Sequence, residues 1–163
     1  MICAEDTEAA ASAASWAVDE VYREGDKCFL VYVVKSLKPP MEVFHGLPGT
    51  AYSFQQPGSH HEDEKIAAAK RAIEKRFLPV LKRKMVPYEI QLFAEKYDVS
   101  PEQVGDTILK TAGDRDATLV VIASHNIEDK DRFEGRVGSV AQYVMRHCKY
   151  PLAVVNPEWS KNL

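Results

Sequence analysis

The sequence predicts an α/β domain: an open, five-stranded parallel sheet with helices on both faces. Three observations carry this. Strand-like and helix-like segments alternate along the 163 residues, the signature of parallel pairing through right-handed crossovers. The segments Lys27 to Val34 (KCFLVYVV) and Thr118 to Ser124 (TLVVIAS) are almost continuously apolar, as strands buried on both faces must be. The length suits one domain, 1–163, with room for a sizeable core.

Met1 to Glu5 is a short, mostly apolar run that starts the sheet. Thr7 to Glu24 is alanine-rich, and Ala10, Ala14, Ala17, Val18, Val21 and Tyr22 recur at helical spacing. Gly25-Asp26 supplies a stop before the Lys27–Val34 strand. Residues 35–60 break the alternation: Pro39, Pro40, Gly46, Pro48, Gly49, Pro57 and Gly58 fall here, among Phe44, Tyr52 and Phe54. The segment reads as a long flexible loop insertion, the other reading being a cover over a site.

A helix is expected from Glu62 to Met85, with Ile66, Ala69, Ile73, Phe77, Val80 and Leu81 on one stripe. Pro79 should kink or end it. Lys65, Lys70, Arg71, Lys75, Arg76, Lys82 and Arg83 lie mostly off that stripe. Glu62, Asp63, Glu64 and Glu74 are interleaved with them, so they read as a solvated face and not as a nucleic-acid groove. Tyr88 to Ala94 is the next strand. Ser100-Pro101-Glu102-Gln103 is a well-formed helix start, with a cap, a proline at the first helical position and a glutamine able to reach back; this helix runs to about Gly113. After the Thr118–Ser124 strand comes a charged loop, 125–136. A helix beginning near Gly138 should turn Val140, Val144 and Met145 inward. Tyr150 to Val155 is the last strand, ended by Asn156-Pro157.

Composition narrows the function classes. Hydrophobic residues make up 45% and charged residues 28%, with a net charge of -3, which is ordinary for a soluble domain and gives no pull toward nucleic acid or anionic membrane. No apolar run is long enough to span a bilayer, and no basic stretch followed by an apolar one opens the sequence, so no signal peptide is expected. Three cysteines, Cys3, Cys28 and Cys148, make no disulfide framework. Cys3 and Cys28 read as small core residues and Cys148 as a more exposed thiol. A cytoplasmic protein is expected.

Catalytic sets are not evident. Ser124 and His125 are neighbours on a strand and point to opposite faces, so they do not form a nucleophile–base pair. His60-His61 and His147-Cys148 lack the spacing of a helical zinc site, and no Gly-Lys-Ser/Thr phosphate loop occurs. A binding protein is expected, with weak ATP hydrolysis at most. In open parallel sheets ligands bind beyond the carboxyl ends of the strands, where the strand order reverses. That places a site near Asp6, Val33-Val34 and Ala123 to Asn126.

The last third of the chain reads VVIASHN, a loop, then GRVGSVAQYVMRHCKYPLAVV, and it resembles the C-terminal half of universal stress proteins. That family carries a Gly-x-x-Gly turn after its fourth strand, a spacer, a Gly-Ser/Thr that opens the last helix, and an apolar last strand. Asp6 fits the aspartate that follows the family's first strand, and Tyr32 to Val34 fit the end of its second. The resemblance covers nearly the whole chain. It implies strand order 3-2-1-4-5 in a Rossmann-like, adenine nucleotide alpha hydrolase-like fold, and a stress-response regulator that binds an adenine nucleotide, ATP or AMP.

Carried onto this sequence, the resemblance implies that Asp6, beside Thr7, hydrogen-bonds the adenine and that Val33 gives it a main-chain contact. Ala123, Ser124, His125 and Asn126 would form the phosphate turn. Gly138, Ser139 and Val140 would hold the phosphates at a helix start, where backbone N–H groups and the helix dipole favour anions. The resemblance also implies a homodimer through the last strand, residues 151–156, whose apolar edge invites pairing.

The sequence departs from the family pattern at the phosphate end. Ala123 and Asn126 replace the two glycines of the turn, although asparagine tolerates the left-handed region. The spacer to Gly138 is two residues longer and holds Glu128, Asp129, Asp131 and Glu134. Carboxylates repel a triphosphate unless an ion such as Mg²⁺ intervenes, and Lys130, Arg132 and Arg136 offset them in part. Thr7-Glu8 stands where the family has Gly-Ser. These departures keep a second reading open: a member that binds no nucleotide and acts through homodimerisation and partner binding.

Overall fold

The computed structural model describes residues 1–35, 59–95, 99–124 and 137–156. The strands are β1 (Ile2–Cys3), β2 (Cys28–Lys35), β3 (Tyr88–Glu95), β4 (Val120–Ala123) and β5 (Leu152–Val155). They form one parallel sheet in the order β3-β2-β1-β4-β5, the order and direction expected. The helices are α1 (Glu8–Trp16), α2 (Ser59–Arg83), α3 (Pro101–Asp114) and α4 (Ser139–His147).

Strand alternation divides the core into two layers. Ile2, Leu30, Val121 and Val155 face α1 and α2, where Ala10, Ala13, Ala14, Ile73, Phe77 and Leu81 meet them. Cys3, Val33, Val120 and Ile122 face α3 and α4, against Val104, Ile108, Ala112, Ala141 and Val144. Ala9, Ala10, Ala13 and Ala14 of α1 are buried, so that helix can lie close on the sheet. Phe77, Ile73 and Leu81 are at 0% exposure, and burying each such side chain contributes about 1.5–3 kcal/mol.

The ends of the helices differ from expectation in instructive ways. The first helix is expected to reach Glu24, but it widens into a π-helical turn, Ala17–Val21, and stops. Its last carbonyls are taken up by side chains: Arg23 donates to the carbonyls of Glu20, Val21 and Tyr22, and Lys84 to those of Val18 and Asp19. Gly25, at φ 98°, then makes the turn. Pro79 does not end α2, which continues to Arg83. Phe77 and Leu81 are both anchored in the core on either side of the proline, so packing outweighs the lost N–H. The start of α3 is the expected capping box: Gln103 N–H donates to the Ser100 hydroxyl (3.3 Å) and Ser100 N–H to Gln103 Oε1 (2.9 Å). On α4 the buried residues are Ala141 and Val144, whereas Met145, expected inward, is 49% exposed; one residue beyond Val144, it is turned about 100° off the buried line.

The insertion expected over 35–60 lies outside the described residues, except that Lys35 completes β2 and Ser59 and His60 begin α2. The charged loop 125–136 lies outside them too.

Candidate functional site

The strand order reverses between β1 and β4, so a crevice opens beyond their carboxyl ends. β1 is only two residues long, so β2 runs on past it at this end. The last ladder bond on its side runs from Ala4 N–H to the Val31 carbonyl, at 2.7 Å, and β2 continues for four more residues. In a parallel strand the main-chain groups turn to alternate neighbours at each residue, so Val33 repeats the direction of Val31. Its N–H and C=O therefore face the space that β1 has vacated. Among the described residues no bond outside the sheet ladder reaches them.

The chain leaving β1 passes through Glu5 and Asp6 to Thr7. Thr7 is buried and caps α1, its hydroxyl accepting from Ala10 N–H at 3.2 Å; capping is its role in the fold. Asp6 is half exposed, and Arg76 of α2 reaches it, Nε donating to Oδ1 at 2.8 Å. Beside this pair, burial, with Glu5 and Asp6 nearby, pushes the Tyr32 phenol above its ordinary range, so its hydroxyl stays protonated. The β1 and β2 side of the crevice thus presents a carboxylate, a guanidinium, a phenol and an open main-chain edge.

The opposite wall is built by β4 and α4. Ala123 ends β4, half-buried and in register with Val155. Ser124 is buried, and its N–H donates to the Val155 carbonyl at 2.9 Å. Its carbonyl accepts from Gly138 N–H. That bond joins the two ends of the charged loop and brings Ser124 and Gly138 into contact. Gly138 is the cap of α4 at φ -59°, without a side chain to satisfy the helix start. The first bond inside the helix is Gln142 N–H to the Gly138 carbonyl, at 2.8 Å. The N–H groups of Ser139, Val140 and Ala141 are therefore those a helix start leaves open. Ser139 is exposed and Val140 half-buried, packed against the core on the α3 and α4 side. His125 and Asn126 lie outside the described residues. Among the described residues no group of three or more His, Cys, Asp or Glu stands close enough to hold a metal ion.

Arg76, expected on a solvated face, is partly exposed there and also reaches Asp6. It precedes Phe77 and follows Ile73 by three, so it flanks the buried stripe of α2 and is carried down toward the sheet. That edge position was the available signal.

The chain matches the family model described as "Universal stress protein family" over residues 1–156. Among solved structures it is similar to universal stress protein UspA from Lactobacillus plantarum, with a TM-score of 0.64 and 19% identity, covering 94% of each chain. It is also similar to the universal stress protein from Archaeoglobus fulgidus in complex with dAMP, with a TM-score of 0.54 and 19% identity over 94% of this chain and 91% of that one. A universal stress protein family protein from Arabidopsis thaliana with AMP bound matches with a TM-score of 0.51 and 11% identity, over 93% and 79%. No curated protein matches the sequence.

Proposed function

The chain belongs to the universal stress protein family, and on that premise we propose that it is a stress-response regulator that binds an adenine nucleotide, ATP or AMP, at the crevice between β1 and β4. The observation that carries this reading is the open main-chain edge of Val33 beside the Asp6 carboxylate. A purine edge has both donors and acceptors, and this corner offers a match for each. The open amides of Ser139 and Val140 at the start of α4 stand on the opposite wall, where a helix end favours an anion. The relatives with dAMP and AMP bound support the ligand class.

Titration calorimetry with ATP, ADP and AMP, each with and without Mg²⁺, tests the proposal. Saturable heat is the expected result, and ATP should depend on Mg²⁺ if the carboxylates of residues 128–134 stand near its phosphates. No heat at millimolar nucleotide overturns it.

Two bonds favour the second reading, a regulator without nucleotide. Asp6 is bound by Arg76 and Gly138 N–H by the Ser124 carbonyl, so each wall satisfies one of its own groups. In either case we propose a homodimer through residues 151–156. β5 is an edge strand whose Leu152, Ala153 and Val154 are half-buried. Light scattering at micromolar concentration should give twice the chain mass; a monomer contradicts this. The three free thiols agree with a reducing, cytoplasmic setting.

A further inference from the structure

We propose that Arg76 regulates the nucleotide site by competing with the base for Asp6, an inference that rests on the nucleotide reading above. The geometry is specific. Arg76 Nε lies 2.8 Å from Asp6 Oδ1, so it takes up one of the two carboxylate oxygens that an adenine amino group could approach and holds the carboxylate's charge toward itself. The two partners come from different elements: Asp6 from the turn after β1, Arg76 from the middle of α2. Both are held in place. Thr7, next to Asp6, is pinned as the cap of α1, and Phe77, next to Arg76, is at 0% exposure. The two backbones are therefore fixed close together, so the half-exposed side chains meet repeatedly.

The competition is cheap enough to be reversible. The Arg76 and Asp6 side chains are 35% and 48% exposed, and an ion pair of that exposure is weak and screened by salt. Breaking it leaves Arg76 able to turn to water, so the penalty is modest but falls on every binding event. Base affinity is accordingly set by the strength of this pair, and it rises when the pair is weakened.

Adenosine is the decisive probe, because it carries no phosphate whose own charge would respond to salt or to Arg76. Calorimetry with adenosine should show Arg76→Gln binding about twofold to fivefold more tightly than the wild type. Wild-type affinity for adenosine should also rise between about 0.02 M and about 0.5 M NaCl, while that of the variant stays flat. The salt series needs no substitution, so it stands even if the variant folds poorly. Equal affinities, weaker binding by the variant, or a wild-type affinity that falls with salt each overturn the competition. If AMP binds but adenosine binds neither protein, the competition is overturned and the nucleotide reading survives. If neither AMP nor adenosine binds the wild type, both fall together.

Discussion

Gly105 on α3 leaves the space that the ring of Tyr143 on α4 fills. A Cβ at residue 105 would overlap Tyr143 Cδ1. The ring is held there from two other sides: its hydroxyl donates to Asp106 Oδ1 at 2.7 Å, and it stacks on His147 with centroids 4.1 Å apart. The glycine is thus required by close approach between two helices, not by its backbone angle.

Gly105→Ala should destabilise the protein by up to about 2 kcal/mol, the overpacking penalty of about 1–3 kcal/mol less the gain of about 1 kcal/mol in helix propensity. Urea unfolding of Gly105→Ala, Tyr143→Ala and the double variant checks it. The two effects should be strongly non-additive, with the alanine at 105 harmless once the ring is gone. Additive losses would mean that the clash is relieved elsewhere.

Pro79 interrupts α2 at an exposed position. Pro79→Ala restores an N–H that can bond the Lys75 carbonyl. The gain should be about 2 kcal/mol, from the roughly 3 kcal/mol helix-interior penalty less the entropy that proline removes from the unfolded chain. A rise in the urea midpoint at constant slope is the expected readout. A fall would mean that the helix axis bends at Pro79 for a packing reason.

Asp6→Ala should separate stability from binding. The pair with Arg76 is half exposed, so unfolding free energy should change by less than about 1 kcal/mol. AMP affinity should fall by about tenfold or more, since a charged acceptor to the base is lost. A variant that binds AMP as the wild type does would remove Asp6 from the site.

Alkaline pH should expose the cost of burying Cys3. Burial pushes its thiol up to about 12 from an ordinary 9.0, because the core disfavours the thiolate. The folded state thus holds a proton that the unfolded chain loses first. The contribution to stability is complete below about pH 9 and is lost as the pH rises from there toward 12. Urea midpoints at pH 8 and pH 10.5 should diverge less for Cys3→Ala than for the wild type. Equal divergence would mean that Cys3 titrates alike in both states. Cys28, pushed up to about 11 by the same cause, adds a smaller effect in the same direction.

Much of this architecture is legible in the residues alone, because its signals are local. The unbroken apolar run at Lys27 to Val34 can satisfy itself only as an interior strand, and the Ser100–Gln103 capping box declares the start of α3 before any packing is known. Strand order came through the resemblance carried by the Gly138-Ser139 helix start and the PLAVV strand. It places Asp6, Val33 and Ser124 around one crevice. Tertiary structure decided what periodicity averages over. Pro79 stays inside a helix because Phe77 and Leu81 are anchored on both sides of it, and Met145 turns outward while Ala141 and Val144 take the core. The Arg76–Asp6 contact spans 70 residues, and no local pattern encodes a meeting at that separation. The sequence by itself determined the layers and the strand directions, since these follow from which residues must leave water, and the resemblance supplied the strand order that opens the crevice. Only the folded chain decided which polar groups around that crevice are already bound to each other, because that depends on where two distant elements dock.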